Sequence, residues 1–304
     1  MFRRVLVGVD GGPGGRDAIA LARLLAAPDG VITLAHIYGQ DLVIGRGGPE
    51  TVSIERGKAE VLLEHELAST SLDAQLVTSS DHHVGRGLHL LAERLSADLL
   101  VVGSTRHGLL GRVLLGDETR AALSGTPCAV AIASRGYRGQ PQELETLGVG
   151  YDGSPESRLA LAAAHELAAQ HGSTILALQV VSPEDVQGEA PISADSPEGT
   201  TRLIQLSSER LLELGDDVLC DAVCGAPREE LVRFGENLDL LVIGSRAYGP
   251  LGRLFHGDVS DYLARHAPCP LMILPRASTE SHHSDIADRT GQPVAIGSSH
   301  WATG

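Results

Sequence analysis

Aromatic residues make up only 3% of this 304-residue chain, with one Trp and three Phe among them. An interior so poor in rings has to be filled by Leu, Val, Ile and Ala, as in parallel α/β sheets whose strands are buried on both faces. Basic excess is missing as well: 24 Lys and Arg stand against 39 Asp and Glu, a formal net charge of −15. Such a chain has little cationic surface to release counterions from phosphates, which argues against nucleic acid as its main partner. The N-terminal apolar run, Val5-Leu6-Val7-Gly8-Val9, is far too short for a membrane span and is followed by no small-residue cleavage site. Nothing here predicts a membrane partner or export, and the expected location is the cytoplasm.

Cysteine is sparse too, and four in a chain this long make no secreted disulfide framework. Cys128 and Cys269 each follow a Pro and precede an apolar run, the setting of a small buried hydrophobe. Cys220 and Cys224 fall on one expected strand, roughly 13 Å apart at about 3.3 Å per residue, too far for one metal ion or one disulfide. Motifs of hydrolytic chemistry are absent: no Gly-Lys-Ser/Thr phosphate loop, no Gly-x-Ser-x-Gly elbow, no His-Glu-x-x-His helix. No catalytic residue and no metal ligand is assigned on this basis.

What the chain does contain, it contains twice. Gly103-Ser104-Thr105-Arg106 opens a glycine-rich loop that ends at Gly116, and Gly244-Ser245-Arg246-Ala247 opens another that ends at Gly257. The frame around each loop repeats. Val7-Gly8-Val9-Asp10-Gly11 is answered by Val149-Gly150-Tyr151-Asp152-Gly153, and Asp98-Leu99-Leu100-Val101-Val102 by Asp239-Leu240-Leu241-Val242-Ile243. The length suits two domains of about 130 to 150 residues each. The expected division is 1–136, a linker 137–144, 145–276, and a disordered tail 277–304 whose Ser, His, Asp, Gly and Thr carry no apolar period.

Within the first repeat, strands are expected at 5–9, 31–37, 74–78, 99–102 and up to Ala133, separated by helices from Pro13, over 52–69, over 85–95 and after Gly116. The second repeat restarts with the strand that ends at Asp152, and a helix capped by Ser154 with Pro155 at its first position follows. Strands at 174–181, 217–224, 238–244 and 271–274 follow, with a polar insert at 182–199 and helices over 201–214 and from Arg228. Strict alternation of five strands and four helices gives an α/β fold with a parallel sheet and right-handed crossovers.

Ligands of open parallel sheets sit beyond the carboxyl ends of the strands. Asp10 and Asp152 end first strands and both glycine loops end fourth strands, so each pair faces one crevice. A nucleotide there would set its base or ribose near Asp10 or Asp152 and its phosphates on the Gly103 or Gly244 loop, where unpaired N–H groups gather. The same aspartates suit turn and cap positions.

These residues resemble the universal stress proteins, twice over. The carriers are Val9-Asp10-Gly11 and Tyr151-Asp152-Gly153-Ser154, Val102-Gly103-Ser104 and Ile243-Gly244-Ser245, the loops reaching Gly116 and Gly257, and Pro127-Cys128 and Pro268-Cys269. The resemblance implies two tandem Rossmann-like doubly wound domains, each a five-stranded parallel sheet of order 3-2-1-4-5 flanked by four helices. It also implies pairing of the domains through their fifth strands within one chain; whether tandem chains pair further as a homodimer is left open. Family members divide into ATP binders and members that bind no nucleotide. The ATP-binding pattern is Gly, two residues, Gly, nine residues, Gly, then Ser or Thr. This chain places Arg106 or Ala247 at the second Gly and Asp117 or Asp258 at the hydroxyl. The implied ligand-binding set is Asp10, Val102, Gly103, Arg106, Gly116 and Asp117, and in the second repeat Asp152, Ile243, Gly244, Ala247, Gly257 and Asp258.

Asp117 and Asp258 offer a phosphate acceptors only and add like charge. A Mg²⁺ ion bridging carboxylate and phosphate would reverse that, while an Asp ahead of a helix would fill the same N–H groups as an N-cap. Ala247 adds only a methyl where Arg106 adds a long side chain, so the second repeat is the roomier pocket. The expected function is a stress-response, ATP-binding regulatory protein with at most slow hydrolysis. The alternative is a nucleotide-free interaction protein in which Asp117 and Asp258 close the loops.

Overall fold

The computed structural model describes residues 1–39, 49–70, 72–105, 109–116, 119–120, 125–140, 143–181, 197–245 and 258–275. The first half runs β1 (Phe2–Gly8), α1 (Pro13–Leu25), β2 (Ala26–Gly39), α2 (Pro49–Thr70), β3 (Gln75–Asp81), α3 (Val84–Arg94), β4 (Leu99–Gly103) and β5 (Ala129–Ala133). The second runs β6 (Thr146–Gly150), α4 (Pro155–His171), β7 (Thr174–Val181), α5 (Pro197–Leu211), β8 (Val218–Cys224), α6 (Pro227–Phe234), β9 (Leu240–Gly244), α7 (Asp258–His266) and β10 (Leu271–Leu274). The tail expected over 277–304 lies outside the described residues, as does most of the helix expected after Gly116.

All ten strands form one sheet, ordered β3-β2-β1-β4-β5-β10-β9-β6-β7-β8. Every neighbouring pair is parallel except β5 with β10, where the halves join antiparallel. The strands alternate between two apolar layers, as the period of two requires. Val5, Val7, Leu99 and Val101 face the layer of α1 and α4, while Leu6, Leu100 and Val102 face that of α3, α6 and α7. With both faces covered, central strands can be apolar at every position, and β5 is buried along its whole length.

Local chemistry sets the helix ends. Ser154 accepts a hydrogen bond from Ser157 N–H ahead of Pro155, and Gly172 closes α4 with φ of +72°. The structure departs from the sequence expectation in three places. α1 stops at Leu25 and the chain turns extended at once, so β2 starts at Ala26 rather than 31. α5 begins at Pro197, inside the passage expected as polar insert. The linker expected at 137–144 opens with a 3-10 turn at Tyr137–Gly139, and Tyr137 is buried. That turn is held by tertiary contact: Asp17 of α1 accepts from Gly136 N–H (2.7 Å) and Arg138 N–H (2.9 Å).

Candidate functional site

The crevice of each half is built where its first and fourth strands end. In the first, Val9 N–H still donates to Ala35 O (2.8 Å), and the chain then turns at Asp10-Gly11 with Gly11 at φ of +73°. The exposed Asp10 carboxylate accepts from Gly12 N–H at 2.8 Å. In the second, Tyr151 N–H donates to Leu178 O, Gly153 takes φ of +78°, and the Asp152 carboxylate accepts from Ser154 N–H at 2.9 Å. Both aspartates thus fold back on their own turns and also stand at the crevice mouth.

Behind Asp10, Arg16 of α1 makes a two-pronged contact with Glu66 of α2, with Nε to Oε2 and Nη2 to Oε1 each at 2.9 Å. Glu66 is almost wholly buried. Its hydrogen bond and charge raise the Arg16 pKa above the ordinary value, with a smaller contribution from the charge of Asp10. His36 of β2 brings Nδ1 within 2.7 Å of Val9 O, so the first-strand end is braced from three elements.

Val102 and Ile243 are buried strand residues just before the glycine loops. Gly103 and Gly244 have a packing role that the motif did not suggest. A Cβ on Gly103 would lie 2.0 Å from Gly14 O, and one on Gly244 would lie 2.4 Å from Glu156 C. Each glycine therefore lets the first turn of a helix, α1 or α4, close onto the loop. Gly116 differs, since its nearest contact would be Thr105 Cγ2 at an ordinary 3.6 Å. Neither crowding among the described residues nor a positive φ demands a glycine there.

The described part of the first loop is held at both ends. The buried Ser104 hydroxyl donates to Ala133 O (2.7 Å) and accepts from Leu114 N–H (3.1 Å), and Thr105 N–H donates to Leu114 O (2.8 Å). Val113 and Leu115 then donate their N–H groups to Ala267 O and Ala264 O of the second half, at 2.8 and 2.9 Å. Arg106, Asp117, Ala247 and Gly257 lie outside the described residues.

Asp258 is the first described residue of α7. Its exposed carboxylate meets Arg228 Nη1 at 3.3 Å, and the Arg228 guanidinium lies 5.3 Å from the centre of the Tyr262 ring. Arg228 belongs to no sequence motif of the loops. The available signal was positional: Arg86 and Arg228 each stand at the start of the helix that follows a third strand. Elsewhere, a cleft of about 270 Å³ between α2 and the edge strand β3 is lined by Arg56, Glu60, Leu63, Glu64, Val77 and Thr78, among others. Among the described residues no three His, Cys, Asp or Glu side chains gather as metal ligands, and no helix is long and apolar enough to cross a membrane.

The sequence model of the universal stress protein family matches residues 1–134 and again residues 143–275. The chain belongs to the universal stress protein family. Its tandem architecture is shared by curated relatives. It is 29% identical over 288 residues to the universal stress protein Rv2005c of Mycobacterium tuberculosis, covering 88% of this chain and 96% of that one. It is 26% identical over 296 residues to Rv2319c of the same organism, covering 89% and 99%. Among solved structures, a universal stress protein from Archaeoglobus fulgidus superposes with a TM-score of 0.66 at 15% identity, over 90% of this chain and 98% of that one. At that identity the likeness speaks to the fold, a mostly parallel α/β sheet in two tandem domains.

Proposed function

We propose that this universal stress protein is a cytoplasmic, nucleotide-responsive regulatory protein that takes ATP in the crevice of its second half, with at most slow hydrolysis. The observation that carries the reading is Arg228. The objection to a phosphate at this place was the Asp258 carboxylate, and Arg228 reaches that carboxylate at 3.3 Å. A guanidinium at the start of α7 compensates the acid and gives a phosphate oxygen a forked donor, beside N–H groups of a helix N-terminus. Gly116 supports the same reading from the first half, because a glycine that packing among the described residues does not require suits a place where a ligand approaches the backbone. Asp152 supplies acceptors for base or ribose, and Mg²⁺ would bridge Asp258 to the phosphate when present. Joined through β5 and β10, the two domains work as an intramolecular pair.

A second reading is favoured by the turns. Asp10 and Asp152 each spend an oxygen on their own backbone, at 2.8 and 2.9 Å, as a nucleotide-free interaction protein would have them. Thermal unfolding with ATP, ADP and AMP, with and without Mg²⁺, separates the two. ATP at about 100 times its dissociation constant should stabilise by roughly 2.7 kcal/mol. Arg228→Gln should abolish the shift, and Asp258→Ser should remove any dependence on the metal. If no nucleotide moves the transition under either condition, the interaction reading stands instead.

A further inference from the structure

The register where the halves meet is centred. Leu271 faces Ile132, Met272 faces Ala131, and Ile273 faces Val130. The repeat that matches Gly103 with Gly244 and Cys128 with Cys269 also matches Ala131 with Met272. The approximate twofold axis relating the halves therefore passes between Ala131 and Met272. In a pair of identical faces, a residue on that axis would meet its own copy.

Here the residues at matching places differ in complementary ways. Ala131 and Met272 are both fully buried and lie on the same side of the sheet, small opposite large. Arg120 and Asp261 also occupy matching places, and they form an ion pair between the halves with side chains only 16% and 24% exposed. Arg265 closes on the same Asp261 from one turn along α7.

We infer that this pairing surface is heterotypic: the first-half face fits the second-half face of this chain and poorly fits a copy of itself. Two first-half faces would set Ala131 against Ala131, leaving space unfilled in a close-packed layer, and Arg120 against Arg120. Two second-half faces would crowd Met272 against Met272 and bring Asp261 to Asp261, each with its Arg265 already engaged. Size and charge oppose like-with-like pairing at two separate places, and neither mismatch arises when one chain supplies both faces. The occupant this surface selects is the chain's own other half, ahead of a second copy presenting the same face.

Amide hydrogen exchange of the full-length protein tests this. Arg120→Asp with Ala131→Met makes the two faces alike and should speed exchange in β5 and β10 by on the order of tenfold, since overpacking of this kind is costly. Adding Asp261→Arg and Met272→Ala exchanges the faces and should restore most of the protection. Wild-type protection in the like-faced variant would overturn the inference, as would a face-exchanged variant protected no better than the like-faced one. Charge can be read alone in case the strand change disturbs the core. Arg120→Asp and Asp261→Arg should each lower the melting temperature, and their combination should recover most of the loss. Losses that simply add would count against the inference.

Discussion

One added carbon separates Gly103 and Gly244, which packing demands, from Gly116, which packing among the described residues does not. At Gly244 a Cβ would sit 2.4 Å from Glu156 C, so Gly244→Ala has to push α4 off the strand end and should cost about 1–3 kcal/mol, read by urea denaturation. At Gly116 the same carbon meets nothing among the described residues closer than 3.6 Å. Gly116→Ala should unfold at nearly the wild-type urea concentration, and any effect should appear in nucleotide binding. The cysteines divide in a similar way. Burial pushes the Cys128 and Cys269 thiols up to about 12, whereas Cys220 and Cys224 are only half buried. Native protein at pH 8 should therefore yield two reactive thiols to a disulfide reagent, and denatured protein four. The sign of the pH effect follows: each buried thiol stays protonated in the folded chain while its unfolded counterpart ionises from about pH 8.5. Stability should thus be lost as pH rises from there towards 12.

Elements are tied to one another by side chains that accept or donate in pairs. Asp98 receives Arg3 and Arg4 N–H at 2.9 and 3.0 Å, and Asp239 receives Glu145 and Thr146 N–H at 2.9 and 2.8 Å. The repeated Asp before each fourth strand thereby fixes the start of a first or sixth strand beside it. Asp239→Ala leaves two backbone donors without these acceptors and should cost about 1–3 kcal/mol in chemical denaturation. Arg16 and Glu66 join α1 to α2 in the same manner. Arg16→Leu strands a carboxylate that is almost wholly buried, so it should cost about 2–3 kcal/mol, somewhat below the value for a fully buried pair because Arg16 is a third exposed. The hydroxyl of Ser104 does comparable work at the first glycine loop, holding its two ends together and against β5.

The described strands of both halves form one ten-stranded sheet with the join at its centre, and the join is fastened on both faces. On one, Asp17 holds the Tyr137 turn, His171 Nε2 reaches Leu24 O at 2.8 Å, and the Met1 amino group meets Glu166. On the other, Val113 and Leu115 bond to Ala267, just past α7, and to Ala264 in its last turn, and the first described residue of α7 is Asp258. The loop that closes the first crevice thus rests on the helix that begins at the second. Asp17→Ala should release the segment after β5, and limited trypsin digestion should then cut at Arg135 and Arg138 several-fold faster while the two halves stay folded.

Much of this was legible in the residues. Apolar runs such as Leu99-Leu100-Val101-Val102 are strand-length and lack a polar face, so they specify buried parallel strands; Ser154-Pro155 specifies a helix start by its own backbone chemistry; and duplication of Asp-Gly turns and glycine loops set the two-domain plan and the places of Asp10, Asp152, Gly103 and Gly244. Those features follow from neighbours along the chain. The fastening of Tyr137 by Asp17, the reach of Arg228 to Asp258, and the opposition of Ala131 to Met272 each join residues far apart in sequence. A lone Arg at a helix start reads as solvated surface until folding brings a carboxylate to it. An Ala and a Met in two apolar strands are interchangeable in pattern until an antiparallel register sets one against the other. Local propensity and periodicity decided the elements; only the tertiary structure, by bringing distant side chains within reach, decided their partners.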